Sequence, residues 1–238
     1  MPLTADSMQN IHELPLNPEA IRVLSWNIQK QSRPQLSADL AGFCREIDLA
    51  LLQEVHVEGN YLHHFHDGWH RSFAPGFSLP RRTTGVMTLS VSGHRQQDRF
   101  CHPEPILRTL KAANATTHAL AGMDEPLLVV NLHALNFSLG IQAYTRQLHD
   151  LLQCVDRHEG PVIFAGDFNA WHNMRKQLLD EIASHRGFVE VPFAVDHRMQ
   201  IFGKPLDYMF IRDLKVLEAR TLASRGSDHN PLLATLGL

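Results

Sequence analysis

The stretch Val162-Ile-Phe-Ala-Gly-Asp167-Phe-Asn169-Ala170 carries the pattern that decides the fold. Its first four residues, Val162–Ala165, form a short apolar run with β-branched members, which predicts a buried strand. A carboxylate, Asp167, follows the run almost at once, and Asn169 stands two residues further on. The pair could form an Asx turn that leads out of the strand, or it could carry chemistry at the strand's end.

The same arrangement recurs in three other apolar runs. Ile21–Trp26 stops at Asn27, Leu49–Gln53 stops at Glu54, and Leu127–Leu132 stops at His133. In sheets of α/β proteins, ligands bind at the carboxyl ends of the strands. Side chains far apart in the sequence could therefore converge on one site.

Each of these residues also has an ordinary structural interpretation. Asn27 could cap a turn, and Glu54 could be a solvated carboxylate at a strand end. His133 could be a hydrogen-bonded core histidine. The segment Ser227-Asp228-His229-Asn230-Pro231 could be a helix cap and turn. Their joint occurrence at strand ends is what favours a functional site.

Further periodicity predicts the rest of the fold. The remaining predicted strands are Gly85–Val91, Leu206–Ile211 and Pro231–Leu236, and the predicted helices are Leu36–Glu46, Gln142–Arg157 and Met174–His185. Strands and helices alternate only in part, so we expect both hairpin-linked and crossover-linked strands. This predicts two packed sheets with helices outside them. The stretch from His56 to Pro80 is expected to be a long loop or a short insertion.

Length and composition limit the class of protein. The 238 residues are 44% hydrophobic and 20% charged, as in ordinary globular domains. We expect one domain over residues 19–238, preceded by a loose arm over residues 1–18. A net charge of -3 and a pI near 6.6 provide no global positive field for a polyanion.

Cysteine usage and hydropathy bear on location. The scattered Cys44, Cys101 and Cys154 have no metal-ligand spacing, and we expect them to be reduced, buried thiols in a cytoplasmic protein. Neither a signal peptide nor an apolar stretch of the roughly 20 residues that cross a bilayer is evident. Stable membrane insertion is not expected.

The ordered motifs resemble the endonuclease/exonuclease/phosphatase superfamily, which includes DNase I-like nucleases, exonuclease III-like nucleases and neutral sphingomyelinases. The matching segments are Leu24-Ser-Trp-Asn27-Ile, Leu52-Gln-Glu54, Gly85-Val-Met-Thr-Leu-Ser90, Asn131-Leu-His133, Gly166-Asp167-Phe-Asn169-Ala, Leu206-Asp207-Tyr-Met-Phe-Ile and Ser227-Asp228-His229-Asn-Pro-Leu. The segment Asn131–Gly140 is further similar to an uncharacterised bacterial branch of that superfamily. The resemblance implies a four-layer α/β/β/α sandwich of two mixed sheets, with the site at one end.

The resemblance also implies a role for each residue. Asn27 and Glu54, with Asp228 as a third candidate, are similar to the ligands of a divalent cation, and their hard oxygen donors suit Mg²⁺ or Mn²⁺. Asp167 and Asn169 resemble the pair that deprotonates and orients the attacking water. The remaining roles fall to three further residues: His229 for contact with the phosphoryl group, Asp207 for fixing the tautomer of His229, and His133 for general acid catalysis.

The implied activity is therefore metal-dependent hydrolysis of a phosphodiester by in-line attack of water. A nuclease that acts on DNA is the leading hypothesis for the substrate. The alternative is a phospholipid headgroup, as in sphingomyelinases, or another small phosphoester. A scaffold without activity is disfavoured because Glu54, Asp167 and His229 are all present.

Two groups of residues leave the choice of substrate open. The histidines His56, His63, His64, His66 and His70 match no structural zinc spacing, which favours a solvated loop over a metal site. The cations Arg71, Arg81, Arg82, Arg95, Arg99, Arg108 and Lys111 could be scattered surface charge or a rim that binds phosphate. In the second case Trp69, Phe73 and Phe77 could stack on bases or lie against lipid.

Overall fold

The structure of the protein, a computed structural model, describes residues 14–57, 63, 65, 68–79, 82–138 and 140–238. The strands are β1 (Ile21–Asn27), β2 (Leu49–His56), β3 (His70–Leu79), β4 (Arg82–Ser90), β5 (His94–Pro103), β6 (Leu110–His118), β7 (Leu127–His133), β8 (Val162–Asp167), β9 (Val189–Glu190), β10 (Gln200–Ile201), β11 (Lys204–Pro205), β12 (Asp207–Arg212), β13 (Lys215–Thr221) and β14 (Leu232–Gly237). The helices are α1 (Leu36–Phe43), α2 (Gln142–Asp156) and α3 (Asn173–Arg186), with a 3-10 turn at Gln29–Gln31.

Twelve of these strands form two mixed sheets of six. The first sheet has the order β13-β14-β1-β2-β4-β3, and the second has the order β5-β6-β7-β8-β12-β9. β1 and β2 are parallel, as are β7 and β8, and the other pairs within the two sheets are antiparallel. Two mixed sheets with outer helices confirm the predicted four-layer sandwich.

Three apolar layers hold the sheets and helices together. Between the two sheets lie side chains from both, such as Val23, Leu51, Val129 and Ile163. α1 packs on the outer face of the first sheet, while α2 and α3 cover the outer face of the second. Each sheet is therefore buried on both faces near its middle, which explains the near-continuous apolar runs of β2, β7 and β8.

Strand direction brings the polar strand ends to one edge. In the parallel pair β7–β8, His133 lies opposite Asp167, and in β1–β2 Asn27 lies opposite Gln53. β12 runs antiparallel to β8, so its first residue, Asp207, also lies opposite Asp167. The convergence expected from the sequence thus follows directly from the sheet register.

Buried amide side chains join the two sheets beside this edge. The Gln53 Nε2 atom donates to Asn131 Oδ1 at 2.8 Å, and Asn131 Nδ2 donates to the carbonyl of Met87 at 3.0 Å. On the neighbouring strands, Asn114 Nδ2 donates to Ser72 Oγ at 3.0 Å. Hydrogen bonds between buried amides fix geometry more strictly than apolar contacts do, so they align the sheets next to the site.

Several strands were not predicted because they lack apolar runs. β5 and β13 are edge strands whose sequences, His94–Pro103 and Lys215–Thr221, are largely exposed. β6 is buried but is built from alanine, threonine and asparagine. β3 occupies His70–Leu79, so the expectation of an irregular segment from His56 to Pro80 was wrong for that part. Residues 58–62, 64, 66, 67 and 80 of that segment lie outside the described residues.

Three smaller expectations also need correction. α1 ends at Phe43 rather than Glu46. The cysteines are free, but only Cys154 is buried: Cys101 is exposed on the edge strand β5, and Cys44 is half-buried. Within the predicted arm, residues 1–13 lie outside the described part, whereas Leu16 is buried and pairs with Leu120. The folded body therefore includes Leu16.

Gly166 lies where β8 approaches β7 closely, and a substitution there tests how tight the contact is. Its φ is +144°, and a Cβ atom there would lie 2.0 Å from the carbonyl oxygen of Leu132. Gly166→Ala should lower the free energy of unfolding by about 3 kcal/mol or more, since backbone strain and overpacking add.

Gly187→Ala is the matched control. Gly187 also has a positive φ, of +66°, but nothing lies within 4 Å of the added Cβ. It should cost about 1 kcal/mol. Urea denaturation measures both variants, and equal losses would show that Leu132 does not restrict the position of Gly166.

Candidate active site

Asp167 lies at the centre of the polar cluster. Its carboxylate is buried at the end of β8, and Oδ2 accepts a hydrogen bond from Asn27 Nδ2 at 3.0 Å. Oδ1 accepts one from the backbone N–H of Asn169 at 3.0 Å. His133 Nε2 lies 3.5 Å from Oδ2. Four of the residues predicted for the site are therefore in direct contact.

Asp207 and His229 form a second, adjoining pair. His229 Nδ1 lies 2.7 Å from Asp207 Oδ2, and both side chains are buried. The loop that carries His229 is held by Ser227 Oγ, which donates to the carbonyl of Asn27 at 2.6 Å. Trp26 Nε1 donates to the carbonyl of His229 at 2.9 Å. The loop is thus fastened to the end of β1.

The imidazole of His229 and the neighbouring aspartates carry opposite charges that stabilise one another, whereas Asp207 and Asp167 repel each other. Burial alone would lower the pKa of His229, but Asp207, Asp167 and Asp228 raise it to about 10. The imidazole is therefore a cation at neutral pH. Burial and the charge of Asp207 raise the pKa of Asp167, while His229, Lys111 and the amide of Asn27 act in the opposite direction. A raised carboxylate pKa suits a group that must accept a proton near neutral pH.

Lys111 is bound to His133. Its Nζ atom lies 2.6 Å from His133 Nε2, and because an ammonium group only donates, that nitrogen is the acceptor. Burial and the charge of Lys111 hold the pKa of His133 well below its usual range. The sequence left Lys111 among cations that could be surface charge or a phosphate-binding rim. The structure places it beside the catalytic candidates.

Glu54 lies on the same side of the cluster as His133. Its carboxylate is 3.8 Å from His133 Nε2 and 3.9 Å from Lys30 Nζ. Neither contact is within hydrogen-bonding distance. A register shift in the β2–β4 pairing and a φ of +54° turn the residue out of the regular strand. Such backbone strain at a strand end is common where a side chain must be aimed at a ligand.

Asn169 and Asp228 complete the predicted set. Asn169 has a φ of +49°, and its Nδ2 donates to the carbonyl of Ala134 at 3.1 Å, which ties the loop after β8 to the loop after β7. Asp228 is exposed, and its recorded contact within the described chain is with Ser227 Oγ at 3.2 Å. Of the eight predicted site residues, Asp228 is therefore the one that is exposed to solvent.

Two sets of donors could hold a cation. The ligand atoms of Asp167, Asp207 and His229 lie within 4.8 Å of one another. Within that set, His229 carries a positive charge itself, because its raised pKa keeps the imidazole protonated. By contrast, the Glu54 carboxylate and the Asn27 and Asp228 oxygens are hard donors, and the recorded contacts of Glu54 leave its lone pairs available. Oxygen donors of this type are the ones that Mg²⁺ and Mn²⁺ prefer, and Asn27 Oδ1 also accepts the backbone N–H of Gln29 at 3.1 Å.

Arg175 is a positioning residue that the sequence analysis missed. The buried guanidinium donates from Nη1 to the carbonyls of Leu135 and Asn169, both at 2.8 Å, and from Nη2 to that of Asn136 at 2.9 Å. It thereby fixes the loops that follow β7 and β8. An arginine within a helix such as α3 is ordinarily exposed, so the sequence contained no signal for this role.

The aromatic residues in and next to the His-rich stretch differ in burial. Phe65 and Trp69 pack edge to face with 5.0 Å between ring centroids, and Trp69 and Phe73 belong to the apolar layer under α1. Of the aromatic residues proposed for stacking, Phe77 is exposed and lines a cavity beside Glu54. His64, His66 and Arg81 lie outside the described residues.

Comparison with known proteins places this geometry in a family. The model of the Endonuclease/Exonuclease/phosphatase family matches residues 24–229, which span every predicted site residue. The chain belongs to this family. The superfamily resemblance inferred from the motifs is therefore confirmed, and the superfamily includes nucleases, phosphodiesterases and phosphatases.

Individual relatives agree with the assignment. A UPF0294 protein of Yersinia enterocolitica is 41% identical over 220 residues, covering 90% of this chain and 83% of that protein. Among solved structures, an endonuclease/exonuclease/phosphatase from Beutenbergia cavernae has a TM-score of 0.72 at 17% identity, over 92% of this chain and 72% of that one. The human Nocturnin catalytic domain has a TM-score of 0.70 at 20% identity, over 94% and 95%. At these identities the two structures establish the shared fold.

The Asp207–His229 pair yields a prediction about charge. Asp207→Asn removes the main group that raises the pKa of His229, so that pKa should fall from about 10 toward or below 6.5. Because the folded-state pKa is raised, the pair's contribution to stability is fully present below pH 6.5 and is lost as pH rises through about 10. The variant should lose this pH dependence.

NMR titration of the His229 ring measures the pKa directly. Asp213→Asn serves as the control, since it removes an exposed carboxylate just beyond the other end of β12. That variant should leave the pKa of His229 unchanged. An unchanged pKa in Asp207→Asn would mean that the ion pair does not hold the imidazolium.

Proposed function

We propose that this protein is a divalent-metal-dependent phosphodiesterase. The observation that carries the proposal is the contact of a buried carboxylate, Asp167, with Asn27, Asn169 and His133, next to the imidazolium of His229. This arrangement places a base and fixed positive charge at one point, as attack of water on a phosphate anion requires. The human Nocturnin catalytic domain, which shares the fold, is described with a bound sulfate anion, a mimic of phosphate.

The chain's residues divide the reaction among them. Asp167 accepts a proton from the attacking water, and Asn169 fixes the position of the carboxylate through its backbone N–H. The imidazolium of His229 binds the phosphoryl oxygens and neutralises the charge that develops on them. Asp207 holds that ring in place. As the new P–O bond forms, the bond to the leaving group breaks.

The departing oxygen needs a proton, which the Lys111 ammonium would donate. The sequence predicts this role for His133, and that prediction stays open; the hydrogen bond that His133 Nε2 accepts from Lys111 favours Lys111 as the donor. We propose that the Lys111 ammonium donates this proton and that His133 orients the ammonium. Glu54, Asn27 and Asp228 would hold Mg²⁺ or Mn²⁺, which would supply further positive charge at the phosphate.

The substrate hypotheses from the sequence stay open, because the catalytic residues alone do not distinguish them. DNA remains the first nucleic acid to test, and a phospholipid headgroup or small phosphoester is the alternative. DNA and phospholipids both contain a phosphodiester, and a small phosphoester would need the same catalytic groups, so the same residues would serve any of them. The surroundings of the site have to distinguish them.

A soluble activated diester tests the reaction class without prejudging the substrate. Bis(p-nitrophenyl) phosphate should be hydrolysed with Mg²⁺ or Mn²⁺ and not in EDTA. Glu54→Gln keeps the side chain's shape but removes its charge, so turnover should fall about 100-fold or more. Metal binding, measured by calorimetry, should weaken in parallel.

Glu46→Gln is the matched control. It makes the same change at an exposed position just before β2, at the end of the strand away from the site. Its turnover and metal affinity should equal those of the wild type. Equal metal affinity in Glu54→Gln and the wild type would remove Glu54 from the metal site, and metal-independent turnover would contradict the proposed function.

A further inference from the structure

A cavity of about 300 Å³ opens beside the catalytic candidates. Its lining includes the polar residues Glu54, Lys111 and His133. It also includes four exposed apolar side chains, Phe77, Leu107, Leu110 and Phe137. We name these four residues, together with the neighbouring exposed Ile106, the apolar rim. Whatever covers the apolar rim therefore also reaches the proposed catalytic residues.

The most exposed part of the rim is the turn between β5 and β6. Ile106 and Leu107 are each 55% exposed, and the turn also carries Arg108. Isolated exposed apolar residues are common, but a cluster at the mouth of a cavity marks an interaction site. A water-facing turn that needed only to connect two strands would ordinarily be polar.

This turn is held rigidly by a buried carboxylate. Glu104 Oε1 accepts hydrogen bonds from the backbone N–H groups of Asn136 at 2.8 Å and Phe137 at 3.3 Å, and Oε2 accepts one from Thr109 Oγ1. The N–H of Arg108 donates to the Glu104 carbonyl at 2.9 Å. Glu104 thus fixes both the β5–β6 turn and the loop that carries Phe137. The apolar tip is built into the fold.

Phe77 is aimed at the same cavity by a strand irregularity. The β3–β4 pairing shifts register between Pro75 and Ser78, and Phe77 lies within the shift. Bulges of this kind turn a side chain away from its regular direction. Separate elements, β3, the β5–β6 turn and the loop after β7, therefore direct apolar side chains to one opening.

We propose that the apolar rim docks on a phospholipid surface and that the enzyme's substrate is a phosphodiester in the headgroup layer. This inference rests on the proposed phosphodiesterase function, because the rim surrounds the same site. A lipid surface offers both contacts at once: its acyl chains form an apolar phase for the apolar rim, and its headgroups carry a phosphoester that can enter the cavity. A protein seated on the rim would instead close the cavity.

The chemistry of the rim separates lipid from nucleic acid. Bases bind to aromatic faces, whereas three of the five rim residues, Ile106, Leu107 and Leu110, are aliphatic. Aliphatic side chains gain more by entering the acyl boundary of a lipid surface. Lys30 and Lys111 in the cavity and Arg108 in the turn offer positive charge to headgroup phosphates. No helix of the described chain is long and apolar enough to span a membrane.

Vesicle co-sedimentation in EDTA tests docking separately from catalysis. The vesicles contain equal parts of phosphatidylcholine and phosphatidylglycerol. The wild type should sediment with them, and the double variant Ile106→Ser, Leu107→Ser should lose about 100-fold in partition, because each of the two side chains removed from water contributes about a factor of ten. Both residues are exposed, so circular dichroism should show an unchanged fold.

Leu217→Ser is the matched control. Leu217 is 57% exposed and lies on β13 beside Gly237. This end of the first sheet is the one far from Asn27 and the candidate site. Its vesicle partition and its hydrolysis of the soluble diester should equal those of the wild type. Equal loss in both variants would show a nonspecific hydrophobic effect and would overturn the proposal.

Three further outcomes would also overturn it. The first is a wild type that does not sediment with vesicles. The second is binding of a single-stranded oligonucleotide, measured by fluorescence anisotropy, that depends on Ile106 and Leu107 while vesicle binding does not. The third is a dimer that forms through the rim and is lost in the double variant. Failure of the proposed function looks different: vesicle binding persists, but no diester is hydrolysed with any metal.

Discussion

The burial of the Asp167 carboxylate constrains the rest of the site. An ionised carboxylate removed from water costs several kcal/mol unless charges and hydrogen bonds compensate for it. Here the compensation comes from the Asn27 amide, the Asn169 N–H and the imidazolium of His229. Each partner belongs to a different element, so the ends of β1 and β8 and the loop before β14 must all meet at Asp167. The sheet register and the amide hydrogen bonds between the sheets keep them there.

The same constraint explains the unusual backbone around the site. Glu54 and Asn169 both have positive φ values, and Gly166 approaches β7 too closely for any side chain. Regular strands would carry their side chains alternately into the two faces of the sheet. The positive φ values of Glu54 and Asn169 instead turn these polar residues away from the regular strand direction. Arg175 then stabilises the loops after β7 and β8 by satisfying three of their carbonyls.

The sequence predicted those parts of the molecule that depend on local pattern. Apolar runs that stop at Asn27, Glu54, His133 and Asp167 indicated the central strands, since burial on both faces leaves a continuous apolar signature. The residues at which the runs stop supplied the candidate site. β5 and β13 escaped prediction because an exposed edge strand needs no such run. Contacts set by the tertiary fold could not be inferred. The Lys111–His133 hydrogen bond joins neighbouring strands of which one, β6, was not predicted, and Glu104 acts through loops that are distant in sequence.

The central claim is that the buried carboxylate of Asp167 acts as the base for water attack on a phosphodiester. Steady-state hydrolysis of bis(p-nitrophenyl) phosphate by Asp167→Asn at saturating Mg²⁺ tests it most directly. The substitution keeps the volume of the side chain, but it replaces one acceptor oxygen by an NH2 group. The amide cannot accept the proton from water, and it loses one of the two hydrogen bonds that the carboxylate accepts from Asn27 and Asn169. The account predicts that turnover falls by about 10² to 10⁴, the contribution of general base catalysis, while circular dichroism shows an intact fold. Turnover equal to that of the wild type in a folded Asp167→Asn protein would contradict it.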